Sequence, residues 1–64
     1  MIEREAKVGD IIETLKTGER AQVLQVGPRV YGEAYPGAVR AKYLDDEVYG
    51  IWLSGEYKIV EEGA

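Results

Sequence analysis

No cysteine and no histidine occur among the 64 residues of this sequence. Without cysteine there is no disulfide, no thiolate nucleophile and no cysteine-based metal site. Without histidine the common zinc ligand and the usual general base near neutral pH are missing as well. Ser54, the sole serine, has no imidazole to activate it. A carboxylate pair such as Asp10 and Glu13 acts on a glycosidic bond only inside a deep cleft, which a chain this short rarely builds. The three adjacent acids Asp45, Asp46 and Glu47 cannot aim the roughly six to eight oxygens of a calcium site at one point. The expectation is a non-enzyme with no cofactor and no metal.

Long apolar runs are also missing. Nothing approaches the roughly 18 residues of a membrane span, and the opening Met1-Ile2-Glu3-Arg4-Glu5 is charged where a signal peptide is basic and then apolar. A cytoplasmic location and no membrane partner are expected. The net charge of −4 works against broad attraction to a phosphate backbone, so nucleic acid ranks below protein as a partner.

What is present suits one folded unit. Apolar residues make up 45% of the chain and charged residues 31%, close to globular averages, so the sequence is not compositionally disordered. A domain of this size buries only about 60% of the surface its unfolded chain exposes, which leaves no material for a second core. Residues 1–64 are therefore expected to form a single domain with its core between about residues 7 and 62.

The pattern along the chain is that of short strands. Residues 8–14 are rich in β-branched side chains and end in a polar, glycine-containing loop at 15–20. In residues 21–26 apolar side chains occur on both faces, as suits a strand that bends between two packed surfaces. Residues 27–38 hold three glycines and both prolines and are expected to form one long loop. Val39, Ala41 and Tyr43 then alternate with Arg40, Lys42 and Leu44, a period of two that marks a half-buried strand. The acidic turn at 45–47 leads into a strand over residues 48–53, where Gly50 suggests a bulge. A short turn at 54–56, a last strand at 57–60 and a fraying tail at 61–64 complete the reading. Five short strands with turn signals between them predict an all-β fold, a small five-stranded barrel in which closure removes the sheet edges.

Several of these segments resemble the SH3-like barrels and KOW-type modules. Val8-Gly9-Asp10-Ile11-Ile12 resembles their opening strand, and Gly18-Glu19-Arg20-Ala21-Gln22-Val23-Leu24 their second, with Ala21 where glycine is common. Val39-Arg40-Ala41-Lys42-Tyr43 with Asp45-Asp46 resembles the third strand and its acidic turn. Gly50-Ile51-Trp52-Leu53 leading to Tyr57-Lys58-Ile59-Val60-Glu61 resembles the fourth and closing strands. The resemblance implies an SH3-like β-barrel, a fold that hosts many unrelated roles. Relatives by this pattern include peptide-binding signalling domains, nucleic-acid-associated modules and accessory subunits of large assemblies. The first loop has no aromatic to wall a polyproline groove, and it is not strongly basic.

All six aromatic residues, Tyr31, Tyr35, Tyr43, Tyr49, Trp52 and Tyr57, lie from residue 31 onward. Tyr43 and Tyr57 are expected to fill the core, and Trp52 stands between core and surface. Tyr31 and Tyr35 share the glycine- and proline-rich loop with Arg29, where contact residues concentrate and aromatic rings offer rigid, low-entropy anchors. Arg40 and Lys42 are expected to meet acidic cross-strand partners. The function expected is a protein-binding module or accessory subunit that uses Arg29, Tyr31, Tyr35, Tyr49 and Trp52. The alternative is a KOW-like nucleic-acid module in which Arg29, Arg40 and Lys42 meet phosphate and a tyrosine stacks on a base. A homo-oligomer joined through the aromatic residues is a third arrangement.

Overall fold

A computed structural model describes residues 4–63. Among these residues seven strands form in chain order: β1 (Ile11–Thr14), β2 (Arg20–Val26), β3 (Arg29–Val30), β4 (Glu33–Ala34), β5 (Val39–Tyr43), β6 (Tyr49–Trp52) and β7 (Tyr57–Glu61). Five of them make one antiparallel sheet in the order β6-β5-β2-β1-β7, and β3 and β4 make a separate hairpin. The all-β expectation holds. No hydrogen-bonded pairing joins β6 to β7, so the sheet keeps two edges and the barrel closure expected from the sequence is not seen.

Period-two alternation assigns the faces of this sheet. Ile12, Ala21, Val23, Val39, Ala41 and Ile59 are buried together on the inner face, and Tyr43, Trp52 and Tyr57 pack half-buried against them. On the outer face Glu13 meets Lys58 at 3.2 Å and Arg20 at 3.7 Å, and Arg20 also reaches Glu61 at 3.7 Å. Such exposed pairs favour this register over its neighbours and add little to stability.

The irregularities lie elsewhere than at Gly50. The β5–β6 register runs unbroken, with Ala41 opposite Gly50 and Val39 opposite Trp52. A Cβ on Gly50 would stand 2.7 Å from the Trp52 ring, so glycine is there because the indole lies across it. The bulge falls in β2, where the register shifts between Val23 and Gln25 and leaves Leu24 as the extra residue. That insertion brings Val26 opposite Val39, onto the face of Ala21 and Val23, although simple alternation assigns it to the other. Apolar residues on both faces of residues 21–26 thus have a local cause. A second shift, between Ile11 and Ile12, disturbs the pairing of β1 with β7.

Residues 7–10 form a tight turn and not the start of the first strand. Asp10 N–H donates to the Lys7 carbonyl (3.1 Å), Gly9 takes a φ of 96°, and the Asp10 carboxylate accepts from Lys7 N–H (2.8 Å). That carboxylate is fully buried. It also receives both terminal nitrogens of Arg4, at 2.8 and 3.0 Å, and the N–H of Gly63 at 2.7 Å. The bidentate bonds from Arg4 hold its carboxyl well below the usual carboxylate range against the opposing cost of burial, and the Gly63 and Lys7 amides add to the effect. A Cβ on Gly63 would come within 2.5 Å of the Gly9 backbone, so only glycine makes this close approach. The expected fraying of residues 61–64 is therefore corrected at Gly63, which is tied to Asp10; Ala64 lies outside the described residues.

Candidate functional site

The glycine- and proline-rich stretch is a hairpin on an anchored stem. At its base Gly27 N–H donates to Ala38 (2.9 Å), Ala38 N–H donates to Tyr35 (3.1 Å), and Pro28 and Ala38 are buried. The Tyr57 hydroxyl donates to the Gly37 carbonyl. Gly37 has a φ of +80°, and a Cβ there would meet the Ser54 Cβ at 2.9 Å, so the stem presses directly on the turn that follows β6. Burial raises the Tyr57 hydroxyl above its ordinary value.

The tip is built differently. Arg29 pairs with Ala34 and Val30 with Glu33, which leaves Tyr31 and Gly32 as a two-residue connection with φ of 53° and 78°. Positive φ at both central residues is the type I′ hairpin turn, whose twist matches that of the strands and which favours Asn-Gly or Gly-Gly. Tyr31 is the one non-glycine residue with positive φ among the described residues, and its side chain is 100% exposed. A bulky side chain in this region is strained. Among the described residues no side-chain hydrogen bond or aromatic ring pair involves Tyr31.

The other residues expected at the site are distributed as follows. Arg29 donates to the Gly32 carbonyl at 3.0 Å and so braces the tip. Tyr35 is half-buried and its hydroxyl donates to Glu33 at 3.2 Å. Tyr49 and Trp52 lie on β6 three residues apart, so they point to opposite faces of the sheet. Tyr49 is half exposed on the outer face. Trp52 turns inward and meets the Tyr43 ring edge-on, with centroids 5.5 Å apart. Its outer rim joins Leu15, Lys16, Gly55 and Glu56 around a depression of about 370 Å³. The structure thus brings together Arg29, Tyr31 and Tyr35 on the hairpin and leaves Tyr49 and Trp52 on separate surfaces.

The cations correct another expectation. Arg40 lies opposite Gln25 and Ile51, and Lys42 opposite Gln22 and Tyr49, so neither has an acidic cross-strand partner. Lys42 reaches Glu47 of the adjoining turn at 3.8 Å, and no ion pair involves Arg40 among the described residues. Ile51, exposed beside Tyr49, belongs to the same outer surface. Its signal in the sequence is the period of two that places residues 49 and 51 on one face of the strand.

By architecture the chain is a small all-β domain, a five-strand antiparallel sheet with an appended hairpin. Comparison with protein-family models, with curated proteins and with solved structures finds no match.

Proposed function

We propose that this domain is a non-catalytic protein-binding module, or an accessory or regulatory subunit of a larger assembly, that engages its partner through the tip of the 27–38 hairpin. The observation that carries the reading is Tyr31, fully exposed at a strained left-handed position on a stem anchored to the sheet. An aromatic ring held out in this way is a preorganised anchor, because the hairpin turn has already limited the backbone that a partner would otherwise have to order. Strain at an exposed position supports a functional role when the fold gains nothing from it. Arg29 and Tyr35 act as the brace and flank of that anchor. As part of the same proposal the fold is an SH3-like barrel whose two sheet edges stay unpaired. The seating of the last strand, β7, beside the first, β1, supports it.

The nucleic-acid reading has weaker support. Arg29 already donates to Gly32 and Lys42 lies near Glu47, which leaves Arg40 as the only one of its three cations with no protein acceptor among the described residues. The test compares proteins retained by the wild-type domain with those retained by Tyr31→Ala and by Arg20→Ala, a control on the opposite end of the sheet. Loss of a retained protein with Tyr31→Ala alone is the expected result. Equal retention by all three would sink the hairpin assignment. Binding to oligonucleotides that weakens steeply with added salt would favour the nucleic-acid alternative.

A further inference from the structure

The two edges of the sheet are finished differently. On β7 the edge carries Lys58 and Glu61, and the register shift beside Ile11 and Ile12 distorts its pairing. Charges and bulges of this kind discourage an incoming strand. Strand β6 reads Tyr-Gly-Ile-Trp, with no charge, no proline and no register shift.

The hydrogen-bond pattern tells which backbone groups that edge offers. Tyr43 N–H donates to Val48 (3.0 Å), while Leu44 N–H donates to Arg20 on the other side of β5 (3.1 Å). Antiparallel ladders alternate, so Val39, Ala41 and Tyr43 bond toward β6, and their partners Trp52, Gly50 and Val48 bond back. Tyr49 and Ile51 therefore direct their N–H and C=O groups away from β5, at the open edge. The same two residues present their side chains on the outer face, 51% and 44% exposed. Between them, above Gly50 and beside Arg40, lies a depression of about 410 Å³.

We propose that β6 is a second docking site, which takes an extended acidic segment of a partner protein as a sixth strand of the sheet. The backbone of Tyr49 and Ile51 supplies the ladder bonds, as in strand addition generally. Arg40 selects the acidic side chain. Although acidic residues outnumber basic ones by 12 to 8 in the chain, none pairs with Arg40 among the described residues, and its guanidinium is free to accept a carboxylate entering the depression. The acidic turn at residues 45–47 stands at the other end of β6. It repels a carboxylate there, so the incoming acid sits at the Ile51 end. This surface is separate from the Tyr31 tip, and the two proposals can fail independently.

The test is an amide-resolved NMR titration of the full chain with a short synthetic peptide that alternates valine and glutamate, alongside the same peptide with lysine in place of glutamate. The glutamate peptide should shift the Tyr49, Gly50 and Ile51 amides, slow hydrogen exchange at Tyr49 and Ile51, and leave Tyr31 unmoved. The lysine peptide should bind more weakly, and Arg40→Gln should cut affinity for the glutamate peptide by about threefold to fivefold, the range of one partly exposed ion pair. Ile51→Pro removes an edge donor without touching the β5 ladder, and with its spectrum otherwise native it should abolish the shifts. The idea is overturned by an absence of shifts at β6 at millimolar peptide, by equal binding of both peptides, or by exchange protection at Tyr49 and Ile51 in the free chain that grows with protein concentration. That last result would assign the edge to a second copy.

Discussion

Tyr31 separates two demands that usually act together on a side chain. Stability favours a residue that tolerates positive φ, and asparagine before Gly32 would complete the preferred type I′ pair. The substitution Tyr31→Asn should therefore stabilise the domain by about 0.5 to 1 kcal/mol, measured by urea denaturation, since it relieves a disfavoured backbone conformation and loses no contact. The same variant should lose the partner that the wild-type hairpin holds. A gain in stability with unchanged binding would mean that the tyrosine is incidental. The left-handed position was not legible at Tyr31 because the residue type argues against it; only the glycine that follows hints at a tight turn. Asp10 was equally opaque. In sequence it reads as one acid in a strand, yet its bonding partners come from Arg4, Lys7 and, 53 residues further along, Gly63. No local pattern encodes a contact over that distance.

Strands with strict alternation were readable in advance, and β5 is the clearest case. Its Val39, Ala41 and Tyr43 face the core, and Arg40 and Lys42 do not. Strands β3 and β4 were not readable, because two residues are too few for a period and Pro28, Gly32, Pro36 and Gly37 break up the stretch around them. Glycine within a strand suggests a bulge at residue 50, whereas the fold uses it as room for a ring. This makes a direct test at β6. Gly50→Ala sets a methyl group 2.7 Å from the Trp52 indole and should cost about 1 to 3 kcal/mol, as overpacking does. Its signature is a red shift of the single tryptophan's fluorescence as the indole is pushed off Tyr43 toward water. An unchanged emission maximum would mean that the ring has another place to go.

For the molecule as a whole, stability rests on a small core of one valine pair, two isoleucines and two alanines, with the larger rings at its margin. A chain of this length has only about 3 to 10 kcal/mol in total, so the buried Asp10 cluster carries a visible share. Its carboxyl lies below the ordinary aspartate value of 3.8 in the folded state, so on acidification the unfolded chain takes up the proton first. The contribution is complete above that value and is withdrawn progressively as pH falls below it. Asp10→Asn sets an amide donor among donors, should cost about 2 to 3 kcal/mol at neutral pH, and should flatten the acid limb of the stability curve. Urea midpoints for both proteins from neutral to strongly acidic pH decide it, and parallel curves would refute the assignment. Arg4 and Gly63 bond to the same carboxylate. The first and last described residues thus share one seat, so a linker of a few residues would span them. Residues 4–63 can then be closed into a ring and reopened at Tyr31, between the paired residues Val30 and Glu33, giving a permuted domain whose new ends lie at the hairpin tip.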